Sequence, residues 1–382
     1  MELPLTQEQR MTKEMMHEFA RSEIEPFAQE YNLKGEFPKA IVAKLGKLGL
    51  FGMMIPERYG GSETGAVSYS LALQEIAYSC ASMAVTLSVT NLTTEPLLNF
   101  ATEEQKKKFL YPLASGEYLG AFALTEPEAG SDPSGIKTSA VRKGDRYIIN
   151  GAKQFITNGA YAGLFILIAR TAREKNGLTA FIVPKDTKGL QVGKEEKKMG
   201  LNASNTVAIL FEDCEVPKNL ILGTEGMGLK IALSALDSGR IGIASQAVGM
   251  IQACLHEALG YSKERKQFGK PIIRHQSIQN MLADIAVDYE AAGLLVWNAA
   301  SLKDGKKSLS REASMAKLFA TEALNRCAYK ALQVFGGYGY IKDYKIERIY
   351  RDARVTTIYE GTSEIQRMVI SRELEKMWEH HS

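Results

Sequence analysis

Apolar residues between positions 225 and 382 recur at helical spacing in long, almost proline-free runs. The pattern predicts four long helices at 230–260, 275–303, 309–335 and 362–378. Within the second, Met281, Ile285 and Asp288 fall on one side and Leu282, Ala286 and Tyr289 on another. Four such helices argue a bundle. Between about 120 and 220 the texture changes. Residues 146–151, 165–168, 179–183 and 206–211 read as strands, separated at short intervals by Gly, Asn and Pro. Short strands with such turns suggest an antiparallel barrel or sandwich. The first 118 residues are again helical, with breaks at Gly35, Pro38, Pro56 and Gly60-Gly61. The expected fold class is α+β and multidomain: an N-terminal helical domain over 1–118, a middle β domain over 119–224 and a C-terminal four-helix bundle over 225–382.

Composition sharpens this division. Ten of the eleven prolines lie at or before Pro217 and only Pro271 follows, which leaves the last region free to form long helices. A hydrophobic fraction of 45% with 24% charged residues suits a globular chain with buried cores. The net charge of +3 is spread out, and the basic runs at Lys106 and Lys194 read as solvated faces, so no nucleic-acid partner is expected. Cys80, Cys214, Cys254 and Cys327 are far apart with no CxxC spacing. Neither zinc nor a redox dithiol is indicated, and a reducing compartment fits. No segment approaches 18 uninterrupted apolar residues, so no membrane span is expected. The first residues have no apolar signal core and contain acids, unlike a transit peptide. The expected location is the bacterial cytoplasm, or the mitochondrial matrix if a transit peptide has been removed.

The stretch with the most chemistry is IYEGTSEIQR, residues 358–367. Glu360 stands between a Tyr and a Gly at a break between helices. Gly361 lets the backbone bend, and apolar neighbours can desolvate the carboxylate and raise its pKa, as a general base requires. The plain alternative is a helix N-terminus with Thr362 or Ser363 as its cap. The loop 124–132, LTEPEAGSD, is rich in hydroxyls and small residues that can meet a ring edge or a phosphate, although an ordinary loop reads the same way. Phe155 and Thr157 fall on the same side of a strand and offer a wall for a flat cofactor, or a half-buried strand end. Arg265, in ERKQFG, can pair with a diphosphate. Residues 333–337 are either a close-approach turn or a C-cap cluster. Asp237 and Arg240 are either ligands or an intrahelical ion pair. There is no G-x-G-x-x-G after a strand, no Walker A and no G-x-S-x-G. The lone E-x-x-H, Glu14 to His17, lies outside the bundle, which argues against a carboxylate-bridged metal pair.

Across its whole length the chain resembles the acyl-CoA dehydrogenase family. The pieces that carry the likeness are AFALTEPEAGSD, KQFITNG, SGRIGIASQAVG, ERKQFGKP, QVFGGYGY and RDARVTTIYEGTSEIQR. Among its branches the likeness is greatest to the short-chain, butyryl-type enzymes. The resemblance implies FAD-dependent oxidation of an acyl-CoA thioester to the trans-2-enoyl-CoA, with Glu360 as the base. Some family members carry the base just before the arginine matching Arg240; here that position is Gly239, which cannot act. By the same resemblance, Phe122, Leu124, Thr125, Gly130, Ser131, Phe155, Ile156 and Thr157 meet the flavin. So do Arg265, Phe268, Gln276, Gln333, Val334, Phe335, Gly336, Gly337, Thr362 and Glu364, several across a subunit boundary. Arg265 and the 333–337 turn are expected not to enclose one FAD on a lone subunit. Ser131, Asp237, Arg240, Tyr359 and Gly361 match substrate contacts. Implied partners are an electron-transferring flavoprotein and three further copies in a homotetramer built from dimer pairs. Two departures stand out. Phe155 replaces a common Trp, and Glu95 is unusual in the segment 88–96, which corresponds to a helix lining the acyl pocket. Glu95 is expected to be exposed or capping, the sharper alternative being a second catalytic carboxylate. Remaining alternatives are a cyclic or branched acyl group, or an oxidase using oxygen.

Overall fold

Thr6 starts the first helix through a capping box, accepting from the Gln9 backbone while Gln9 accepts from its N–H. The structure is a computed structural model and describes residues 4–174 and 177–379. Six helices build the N-terminal region: α1 (Gln7–Phe19), α2 (Glu25–Lys34), α3 (Lys39–Lys47), α4 (Gly65–Ser79), α5 (Ala81–Phe100) and α6 (Glu103–Ala114). The breaks fall where the sequence puts them. Gly35 ends α2 in the left-handed region and Pro38 precedes α3. α5 is apolar or small on nearly every side and is buried over most of its length, Pro96 included.

The middle region forms β1 (Leu119–Ala123), β2 (Ser139–Lys143), β3 (Arg146–Thr157), β4 (Ala162–Arg170), β5 (Leu178–Pro184), β6 (Leu190–Glu195), β7 (Thr206–Pro217) and β8 (Ile221–Leu222). They make one sheet in the order β6-β7-β3-β2-β4-β5-β8, with β1 attached to β4. Most neighbours are antiparallel, as expected. The exceptions are β1 with β4 and the single pairing of β2 with β4, both parallel. A parallel pair needs a long connection, and the chain between β1 and β4 contains the 124–132 loop. The sheet topology therefore hangs that loop at the end of β1.

The C-terminal region holds α7 (Gly228–Glu264), α8 (Gln276–Asp304), α9 (Ser310–Phe335), α10 (Lys345–Ala353) and α11 (Ser363–Glu379). The four expected helices are present within a few residues, and α10 is an addition. At 37 residues α7 is about 55 Å long. It packs against α4, α5, α8 and α9. The expected split of α8 is corrected: Leu282 and Ile285 share the buried face with Ala292, Val296 and Ala299, while Met281 and Asp288 are only partly covered. Spacings of three and four, not four and three from Met281, set the stripe. All four cysteines are buried and free. No described helix is long and apolar enough to cross a membrane.

Candidate active site

Glu360 follows a short helical turn, Arg354–Thr357, and precedes α11. Its backbone is left-handed at φ 53°, and Gly361 follows at φ 88°. A non-glycine residue in that region is strained, and such strain persists only where its surroundings enforce it. The enforcing contacts are visible. Gln366 donates from Nε2 to the carbonyls of Glu360 (3.1 Å) and Gly361 (2.9 Å), and Lys317 Nζ donates to the Gly361 carbonyl at 2.7 Å. Thr362 caps α11 by accepting from the Ile365 N–H, as the cap reading of this segment expected.

The Glu360 side chain turns inward. Oε2 is sealed from solvent and has no hydrogen-bond partner. A Cβ placed on Gly239 would come within 2.5 Å of that oxygen and 3.0 Å of Leu92 Cδ1. Gly239 on α7 and Leu92 on α5 thus form the walls against which the carboxylate rests. One turn on, a Cβ on Gly242 would meet Ser88 Oγ at 2.4 Å and the Tyr69 hydroxyl at 3.3 Å. Burial pushes the Glu360 carboxyl up to about 7, against the opposing charges of Arg240 and Lys317. Tyr359 is fixed beside it by donating to Gln246 Oε1 at 2.7 Å, and Gln246 in turn donates to the Ala81 carbonyl.

Asp237 and Arg240 do form the intrahelical ion pair. They also reach α9: Ser310 donates to Asp237, and Arg240 donates to Ser314. Arg240 is buried, with Nε unpartnered. Glu95 departs from the expectation of an exposed or capping residue. It is largely covered and accepts from Lys303 Nζ (2.8 Å) and Asn99, while Lys303 also donates to Ser238. Lys303 comes from α8, far away in sequence, which is why a local reading of α5 missed it.

Phe122 ends up buried on β1, with Leu124 and Thr125 partly covered just beyond it. Their loop is latched from β3. Lys153 Nζ donates to the Leu124 carbonyl (2.9 Å) and to Glu126 (2.7 Å), and Gln154 N–H donates to the Thr125 carbonyl. Glu126 also accepts from the Lys137 and Thr138 N–H groups. Gly130 and Ser131, further along, are exposed. On β3 a bulge between Lys153 and Ile156 shifts the alternation. Lys153 and Ile156 both point inward, and the Ile156 side chain is buried in the sheet core. Phe155 and Thr157 lie on the outer side. Phe155 is 63% exposed at φ 58°, not a half-buried strand end.

A second group gathers elsewhere. Arg265, Phe268, Val334, Phe335, Gly336 and Gly337 line one open cleft of about 810 Å³, together with Tyr261 and His275. Gln276 is adjacent to His275, and Gln333 precedes Val334; both are exposed. Arg265 and the turn share this cleft because the C-terminal ends of α7 and α9 meet the start of α8. Glu364 is exposed beside Thr362 at the start of α11.

Three family models cover the chain: the acyl-CoA dehydrogenase N-terminal domain matches residues 6–117, the middle domain 121–214 and the C-terminal domain 226–375. The chain belongs to the acyl-CoA dehydrogenase family. It is 50% identical to an acyl-CoA dehydrogenase of Bacillus subtilis over 97% of this chain and 98% of that one. It is 46% identical to the mitochondrial short-chain specific acyl-CoA dehydrogenase of Mus musculus, over 98% and 91%. The structure of butyryl-CoA dehydrogenase from Megasphaera elsdenii superposes with a TM-score of 0.96 at 44% identity, covering 98% of this chain and all of that one. The protein is therefore an acyl-CoA dehydrogenase, an oxidoreductase that uses FAD.

The residues present fit that cofactor. Phe155 is held left-handed with its ring mostly exposed, and a flat ring stacked on it would cover that apolar face. Ser88 and Leu92 lie in the 88–96 segment expected to line the acyl pocket, whereas Tyr69, Lys153, Lys317 and Gln366 escaped the sequence reading. Two of them left a signal: Lys153 and Lys317 are lysines in phase with buried neighbours, Lys317 within the stripe of Ala313, Ala316 and Ala320.

Proposed function

We propose that this acyl-CoA dehydrogenase oxidises short, uncharged acyl groups, with Glu360 as the base that takes the proton next to the thioester carbonyl. The observation that carries the reading is the sealed, unpartnered Oε2 of Glu360 resting on Gly239 and Leu92. A buried carboxylate with a free lone pair and a raised pKa suits proton abstraction near neutral pH. The Glu360 N–H would donate to the thioester oxygen, where charge develops as the proton leaves. Bound FAD supplies the acceptor for the hydride released from the β-carbon. Phe122, Leu124, Thr125, Gly130, Ser131, Phe155 and Thr157 would hold its flavin end. Arg265, Phe268, Gln276 and 333–337 would hold the diphosphate and adenine end of an FAD shared with another subunit, which fits their open cleft. Thr362 and Glu364 would complete the wall. Asp237, Arg240, Tyr359 and Gly361 would line the thioester and pantetheine path.

The acyl preference rests on charge. No Arg or Lys occurs between residues 77 and 101, and the nearby Lys303 is already paired with Glu95. A second substrate carboxylate would be left buried and unpaired, which is costly. The Glu95–Lys303 pairing favours a structural role for Glu95 over that of a second base. Further parts of the proposal are a homotetramer of dimer pairs, electron delivery to an electron-transferring flavoprotein, domains at 1–118, 119–224 and 225–382, and residence in the bacterial cytoplasm or mitochondrial matrix. The test is anaerobic flavin bleaching with butyryl-, hexanoyl-, octanoyl-, cyclohexanoyl- and glutaryl-CoA. Four- to six-carbon acyl groups should react best, with overlap between neighbours, because a methylene is worth only about 1–3 kcal/mol. Preference for glutaryl-CoA, or for octanoyl-CoA and longer, overturns the short-chain reading. In parallel, Glu360→Gln should keep FAD and slow bleaching by at least about 10²-fold.

A further inference from the structure

Lys317 is a lysine with no exposed surface, on the α9 face that packs toward the Glu360 turn. Burying an amine is costly, so its position needs a reason. Its Nζ donates to the Gly361 carbonyl at 2.7 Å. That carbonyl also accepts from Gln366 Nε2, itself fully buried, and the same amide nitrogen reaches the Glu360 carbonyl. Two side chains from two helices therefore grip consecutive carbonyls of the 360–361 turn. Their grip directs both carbonyls toward the bundle. The left-handed backbone of Glu360 needs such an external hold.

We infer that Lys317 is a positioning residue for the base: it clamps the Gly361 carbonyl so that Glu360 keeps its left-handed conformation, and its charge favours the ionised carboxylate. The inference rests on the reading of Glu360 as the base. The groups facing Glu360 are Arg240 from α7, Lys317 from α9, Tyr69 from α4 and the neighbouring Tyr359. Those facing Lys317 are Glu360, Arg240, Glu322 and Glu364. Burial lowers the Lys317 ammonium to about 8, with Glu360 opposing that shift, so it is still charged at pH 7. Gln366 is neutral and can supply the geometry but not the charge. That division of labour separates a clamp that tunes the base from a merely structural lysine.

The test uses the FAD-loaded full chain and butyryl-CoA. Stopped-flow flavin reduction is recorded from pH 5.5 to 9 for the parent, Lys317→Met, Lys317→Gln, Lys317→Arg and Glu360→Gln. FAD content and thermal melting are measured on each. The expected result is that K317M keeps its flavin and its KM within about threefold, loses about tenfold or more in the rate at pH 7, and moves its acid limb up by about one pH unit, the shift of a nearby opposite charge. K317R should bring the limb back toward the parent. If K317M fails to fold, K317Q, which keeps a donor and drops the charge, carries the same expectation. An acid limb unmoved in K317M or K317Q, with E360Q inactive, overturns the inference. So does a limb that moves equally in K317R. A parent-like rate in E360Q instead overturns the assignment of the base, and the role of Lys317 falls with it.

Discussion

Gly239 and Glu360 touch: a methyl group on Gly239 would lie 2.5 Å from Glu360 Oε2. A residue of α7 and a residue 121 positions later thus share one point in space, and the shape of the base pocket depends on the smallest side chain standing there. Gly239→Ala should push the carboxylate aside. A displacement of about 1 Å costs about 10²-fold in rate, so flavin reduction should fall by that order while FAD content stays unchanged. Parent-like reduction by the variant would show that the carboxylate does not rest on Gly239 during turnover.

The raised pKa of Glu360 has two consequences with definite signs. As a base it must be ionised, so flavin reduction should rise with pH through about 7 and level off above. For folding the sign is reversed. A carboxyl that holds its proton more tightly when folded contributes stability that is complete below its ordinary value of 4.5 and is lost as pH rises through about 7. The difference is on the order of 3 kcal/mol at most. Glu360→Gln removes this titration, so its melting temperature should exceed the parent's increasingly between pH 5 and 8. Parallel melting curves across that range would contradict the burial of Oε2.

Lys153 and Glu126 form a buried pair that ties the 124–132 loop to β3. Burial opposes ionisation of Glu126, yet Lys153 and two backbone N–H donors hold its carboxyl below the usual range. Lys153→Met leaves that carboxylate buried with its main counter-charge gone. Such a loss costs about 3–5 kcal/mol, and it should loosen the loop that carries Leu124 and Thr125. Denaturant unfolding and the flavin-to-protein ratio should both fall. Adding Glu126→Gln to K153M should recover part of the stability.

Arg265 stacks over the Tyr338 ring, 5.6 Å from its centroid, in the cleft formed by the ends of α7, α8 and α9. Arg265→Ala should leave the fold intact and weaken FAD retention, since a charge-assisted pair with a diphosphate is worth more than a neutral hydrogen bond. Flavin content after dilution and gel filtration checks this. Unchanged content would remove Arg265 from the cofactor site.

The sequence by itself determined the order of helical, β and helical regions, because periodicity and proline placement are local properties of the chain. It also singled out Glu360 as a candidate, since an acid beside a glycine at a helix break is a local signal. It placed Phe155 and Thr157 on one side of a strand but could not foresee the inward turn of Ile156, which follows from a bulge in β3 against β7. What only the tertiary structure decided are the long-range partners. Lys303 neutralises Glu95 from α8, and Lys317 and Gln366 hold the Glu360–Gly361 turn from α9 and α11. Arg265 meets the 333–337 turn because the C-terminal ends of α7 and α9 meet the start of α8. Each of these depends on which helices pack side by side, and a charge on a buried helix face gains its meaning only from the group that packing brings opposite it.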